Sequence, residues 1–273
     1  MPRPANLRGS LEDGEICDAG LAKSHGGPQS PKSRSNDGHV KGHASTLHSS
    51  LLGRRSSVAI VNPRLRFRRF LGARIRSLRV YFNEIATVGP DDPYARNFHY
   101  FGARAALLSP QGVIYNERYL SIGDETLIGP QVCLTAGISG DQEMLTNPVV
   151  SIGRKCVIGR GSHIIGHWSI VLGDEIQTGP YVYITDQNHS YEDPTVAIGW
   201  QVPTEAAVRI GSGSWLGANV VILPGTELGE HTTVAAGAVV RGIFPSHVVL
   251  GGVPAKILRH YTDTNGWQAG APA

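Results

Sequence analysis

Residues 210–240 read IGSGSW LGANVV ILPGTE LGEHTT VAAGAV V, and an aliphatic side chain opens every unit of six: Ile210, Leu216, Ile222, Leu228, Val234 and Val240. With Ile, Leu and Val at about a quarter of the chain, six consecutive hits arise by chance on the order of a few times in ten thousand. Six is not a helical period, and a plain strand of period two would not place glycine so regularly. A short strand that turns every six residues fits. Each aliphatic then points into a narrow core, and successive coils stack as parallel strands that bury one another's faces. Ser162, Val182, Ser214, Val220, Thr226, Thr232 and Ala238 occupy the fifth position, where a small or β-branched side chain fills the remaining space.

The count extends upstream through Ile122, Ile128 and Leu134, then Ile152, Ile158, Ile164 and Ile170. After a slip of two residues come Leu172, Thr178 and Ile184, and then a break up to Ile210. Glycine often follows the aliphatic, as at Gly123, Gly153, Gly179 and Gly217, and is expected to permit a tight backbone at the corner. This accounts for a composition with 34 glycines in 273 residues and only 17% charged residues. The expected fold is an all-β solenoid over residues 97–260, with a C-terminal tail over 261–273.

Residues 1–57 are rich in Ser, Gly, Pro, His and Lys without apolar periodicity, which predicts a disordered tail. The irregular spacing of His25, His39, His43 and His48 reads as solvated linker, and a start near Val58 or Val61 would remove this stretch altogether. Residues 62–96 read as a basic amphipathic helix and linker: Phe67, Phe70, Leu71, Ile75, Leu78 and Phe82 interleave with seven arginines, and Pro63 suits a first turn. Such a helix either packs on the domain or a neighbouring subunit, or lies on an anionic membrane surface. The net charge of +3 does not point to nucleic acid. Three scattered cysteines, no apolar run of membrane-spanning length and no secretory signal pattern make the cytoplasm the expected compartment.

These residues resemble the hexapeptide-repeat acyltransferases, and most nearly the galactoside and maltose O-acetyltransferases. That resemblance implies a left-handed parallel β-helix, a homotrimer, acetyl-CoA or another acyl-CoA as co-substrate, and no metal. Three segments carry it. Ile184-Thr185-Asp186-Gln187-Asn188-His189 stands where the period breaks, and the family's general base is a histidine at the start of this loop. The segment from Ser214 to Val220 resembles the family's W-[IL]-G-A-N-V motif, which implies that Trp215, Ala218 and, one coil on, Ala236 border the CoA arm. The segment from Gly251 to Arg259 resembles the terminal G-x-P-A-[KR] motif, which implies that Lys256 and Arg259 lie near the CoA phosphates.

The implied activity is transfer of an acyl group from CoA to a hydroxyl of a sugar, polysaccharide precursor or glycolipid. His189 would be the catalytic base, because imidazole titrates near neutral pH. Asp186 either orients it, binds the acceptor or only stabilises the turn. His167, one coil earlier, and Trp200, with Tyr191 and Gln201 in the same loop, are acceptor-side candidates. Two other classes use this solenoid. One is a zinc hydratase of the γ-carbonic-anhydrase type, with His163, His167 and His189 as ligands; the other is a non-catalytic scaffold.

Overall fold

The computed structural model describes residues 62–271. The expected tail over 1–57 lies outside the described residues. Three ladders of short parallel strands wrap one apolar core, so the architecture is a parallel β-solenoid with one helix in front. Ile122, Ile152, Leu172, Ile210, Leu228 and Phe244 stack in register on the first face. Ile128, Thr178, Leu216, Val234 and Leu250 belong to the second face, and Leu134, Ile164, Ile184, Ile222 and Val240 stack on the third. Every aliphatic in the six-residue count is buried. Three hexads thus make one coil, which is why the side chain six residues on faces the next side of the same core.

The fifth-position residues point inward too, and their hydroxyls tie one coil to the next. Ser162 Oγ accepts the Val182 N–H at 3.1 Å, and Ser214 Oγ accepts the Thr232 N–H at 3.1 Å. These bonds satisfy backbone donors that the narrow core would otherwise strand.

The slip of two residues has a structural cause. Ile170 and Leu172 lie on the same strand and both face inward, paired with Val150 and Ile152 of the coil before. Ile170 therefore begins a new coil rather than ending the previous series, and the extra length is a wider corner at residues 167–169.

The role expected for the post-aliphatic glycines needs correction. None of Gly123, Gly153, Gly179 or Gly217 has a positive φ. The left-handed corner falls two residues later, often on a non-glycine residue such as Glu125, Lys155, Tyr181, Asn219 or His231. The glycines are needed for contact between coils: a Cβ on Gly217 would lie 2.6 Å from the Ala236 backbone nitrogen. Gly217→Ala is accordingly expected to cost about 1–3 kcal/mol through overpacking, read as a lower denaturant midpoint. An unchanged midpoint would mean the coils can part locally.

The C-terminal stretch is not a tail. Ala255–Thr262 turns back antiparallel on Val248–Gly252, and Gly266–Ala269 pairs with it in turn, extending the second face. Helix α1 (Pro63–Ile85) matches expectation. The Asn62 side chain caps it by accepting the Arg64 N–H at 3.0 Å, and none of its residues is buried. It meets the solenoid near its C-terminal end, where Gln111 Nε2 donates to the Ala86 carbonyl at 2.7 Å.

Candidate active site

The break after Ile184 is a stemmed excursion. Gln187–Asn188 pairs antiparallel with Thr204–Glu205, and the chain between them loops out before Val208–Ile210 resumes the coil. Asp186 anchors this exit. It is fully buried, and its carboxylate accepts three backbone N–H groups: His167 at 2.8 Å, Trp168 at 2.8 Å and Ser169 at 2.6 Å. Both oxygens are thus engaged by the wide corner one coil earlier. Of the three roles open to Asp186, stabilising the turn is the one these bonds serve.

That corner carries His167 into the cleft that His189 borders. The cavity measures about 400 Å³. Ile165, Thr185 and Leu223, each one residue past a core aliphatic of the third face, contribute to its lining together with Tyr115 and Tyr183. One wall is the stem, with Gln187, Asn188 and the exposed His189. The other includes Gly137 and Ile138, the start of a second excursion over residues 137–148. The sequence reading missed that excursion, although the signal was present: the six-residue count lapses between Leu134 and Ile152 as it does between Ile184 and Ile210. Gln142 and Asn116 hold it. Gln142 Oε1 accepts the Ile138 N–H at 2.8 Å, and Asn116 Nδ2 donates to the Gln142 carbonyl at 2.8 Å.

Burial lowers the His167 pKa. The Asp186 and Glu205 carboxylates pull the other way, and the His189 imidazole adds to the lowering. His167 is therefore neutral at pH 7. In an NMR titration its ring protons should shift at a pH below that of a free imidazole. Because the unfolded chain binds the proton more tightly, this contribution to stability is complete above the unfolded pKa and is lost as pH falls through the folded one. A His167 midpoint at or above 6.5, its ordinary value, would contradict this environment.

Neither Gln201 nor Trp200 lines the cleft. Gln201 Nε2 donates to the Asp193 and Val196 carbonyls at 2.8 and 2.9 Å, so it holds the loop together. Trp200 is 86% exposed and, like Tyr191, is not part of the cleft lining. Within one chain the structure does not bring Trp200 to His189.

The residues assigned to CoA lie elsewhere on the coil. Trp215 stands on the second face, paired with Gln177 and Thr233. Ala218 and Ala236 follow at the next corner, stacked one coil apart. Arg259 sits opposite Val249 on the added antiparallel strand, its guanidinium 5.9 Å from the Trp267 ring centre, and Lys256 sits opposite Gly251. Trp215 and Arg259 share one sheet three strands apart, about 14 Å. None of these five residues lines the His189 cleft of its own chain.

The three-histidine metal site is not assembled. His163 points outward on the third face beside Tyr183, with ring centres 6.5 Å apart, while His167 and His189 line the cleft. Among the described residues no three His, Cys, Asp or Glu side chains gather as a metal site. Cys156 is buried, and burial pushes its thiol pKa up.

Family comparison agrees with the coil geometry. The bacterial transferase hexapeptide family, described as six repeats, matches residues 207–242, and the hexapeptide repeat of succinyl-transferase matches residues 149–185. The chain carries hexapeptide repeats of the bacterial transferase type. This hexapeptide-repeat chain is 37% identical over 114 residues to an Escherichia coli protein named as a lipopolysaccharide biosynthesis O-acetyl transferase, WbbJ. The match covers 39% of this chain and 58% of WbbJ, so it spans less than two thirds of that relative. Against the galactoside O-acetyltransferase of Escherichia coli it is 24% identical over 152 residues, covering 55% of this chain and 68% of the other. Among solved structures, AntD, an N-acyltransferase from Bacillus cereus, superposes with a TM-score of 0.55 at 17% identity, over 66% of this chain and 92% of that one. At that identity the likeness speaks for the fold.

Proposed function

We propose that this protein is an acyl-CoA-dependent O-acyltransferase, with acetyl as the expected acyl group and a hydroxyl of a sugar, polysaccharide precursor or glycolipid as acceptor. The observation that carries the reading is the pair of imidazoles, His189 and His167, in one cleft at the point where the solenoid leaves its period. Similarity to WbbJ, a protein named as an O-acetyl transferase, supports it.

In this reading His189 accepts the proton of the acceptor hydroxyl as its oxygen attacks the thioester carbonyl. A C–O bond forms, the C–S bond breaks, and the proton passes to the departing thiolate of CoA. Neutral His167 offers one ring N–H or lone pair to position the acceptor. Neither cysteine of the solenoid lines the cleft, in keeping with direct transfer that needs no acyl-enzyme.

The solenoid winds left-handed in this reading and assembles as a homotrimer in the cytoplasm. The trimer gives Trp215, Ala218, Ala236, Lys256 and Arg259 a purpose: they would line the His189 cleft of a neighbouring subunit, since they do not line that of their own. Acetyl-CoA or free CoA should therefore raise the melting temperature of the assembled protein through linkage. A screen of sugar and glycolipid acceptors with acetyl-CoA and longer acyl-CoAs, read by free thiol, tests the activity. No thermal shift and no acceptor-dependent thiol release would favour a scaffold.

A further inference from the structure

Helix α1 is unlike the rest of the molecule. Its 23 residues carry seven arginines against a single carboxylate, Glu84, and none is buried. At 3.6 residues per turn, Phe67, Phe70, Ile75, Leu78, Phe82 and Ile85 share one side, and each is more than half exposed. Arg66, Arg69, Arg76 and Arg79 lie on the opposite side, and Arg68 lies at the border next to Ile75. Arg74 falls within the apolar side, its guanidinium 5.4 Å from the Phe70 ring centre.

Such a face has two kinds of occupant, and the charge decides between them. A second α1 packed along this side would bring Arg64 and Arg74 of both copies into the seam, with one glutamate per helix to offset seven arginines. The apolar sector is also broader than a coiled-coil stripe, and it is rich in phenylalanine. An anionic lipid surface satisfies both sides at once: acyl chains receive the phenylalanines, headgroup phosphates surround the arginines of the other side, and the long stems of Arg64 and Arg74 let their guanidinium groups reach the same phosphates. Among the described residues no helix is long and apolar enough to cross a membrane.

We propose that α1 is an in-plane anchor that binds the surface of an anionic phospholipid bilayer. Its C-terminal end joins the solenoid where Gln111 meets Ala86, so it would hold the solenoid at the membrane surface. The proposal stands independently of the acyl-transfer reading.

Co-sedimentation of the full chain with vesicles tests it, comparing pure phosphatidylcholine with phosphatidylcholine containing phosphatidylglycerol. Binding is expected only to the anionic vesicles and should weaken as salt is raised. Each arginine removed should cost about fivefold in partitioning, so the triple change Arg68→Glu, Arg69→Glu and Arg76→Glu should cost more than about 100-fold. Phe70→Ser with Phe82→Ser should release the protein too. Because α1 buries none of its residues, the melting curve of the solenoid should not move in either variant, which separates lost anchoring from lost fold. Binding that is indifferent to phosphatidylglycerol, or unchanged by the triple variant, would overturn the proposal. So would an apolar-side variant that alters the oligomeric mass and leaves vesicle binding intact, since the face would then belong to a second copy.

Discussion

His189→Ala is expected to lower turnover by about 10²–10⁴ while leaving the melting temperature within a degree or two. The size of the loss follows from the task. A sugar hydroxyl is a poor nucleophile at neutral pH, and the cleft offers few groups able to take its proton as the new bond forms. Of its lining side chains, only two are imidazoles, and no carboxylate is among them. His167 sits on a wider corner held by buried Asp186, whereas His189 is exposed on the stem of the excursion. That exposure predicts little structural penalty on truncation. His189→Gln should be as inactive as the alanine variant, since an amide keeps a hydrogen bond without basicity. His167→Ala should act more on the KM of the acceptor than on kcat. Full turnover in His189→Ala, with a proven acceptor, would remove the general base from the account.

Asp186→Ala should have the second largest effect, and mainly on stability. It removes a carboxylate that accepts three backbone N–H groups at 2.6–2.8 Å and leaves those donors without their partner. Hydrogen bonds to a charged acceptor contribute about 1.5–3 kcal/mol each and do not add fully, so a loss of about 3–5 kcal/mol is expected. For a domain of this size that lowers Tm on the order of 10 °C. Asp186→Asn keeps the volume but turns an NH₂ group toward backbone donors, and should recover only part of the loss. The same substitutions free the corner bearing His167, so acceptor KM should rise along with the fall in Tm. A Tm within a few degrees of the parent would mean that water replaces the carboxylate at this corner.

What the sequence disclosed and what it withheld divide along a physical line. The core follows from a local period, because each hexad is one side of a coil and every Ile, Leu or Val in the count faces the same interior. Helix α1 was equally plain, since Pro63 and the spacing of its apolar residues are local signals. The role of Asp186 was not, because its partners lie 17 to 19 residues away and are backbone groups that no side-chain pattern marks. The glycines were visible but misread. A period of six specifies that each corner has a small residue, but whether φ or the next coil demands it is a matter of stacking. The C-terminal hairpin escaped notice because it abandons the hexad: Gly252 to Ala255 reverse the chain, and Ala255 and Ile257 pack against the core from an antiparallel strand. Of the site, His189 came from resemblance at the break in the period, and His167 from counting back one coil. Trp215, Ala218, Ala236, Lys256 and Arg259 came from resemblance, and one chain alone leaves them on another part of the coil.

The most direct measurement is the rate of free-thiol release from acetyl-CoA by the intact protein, with and without a sugar or glycolipid acceptor, beside mass analysis of that acceptor. The account predicts thiol release that depends on the acceptor, one acetyl group gained per thiol released, and loss of both in His189→Ala. Thiol release that ignores the acceptor, or an acetylated product formed equally well without His189, would contradict it.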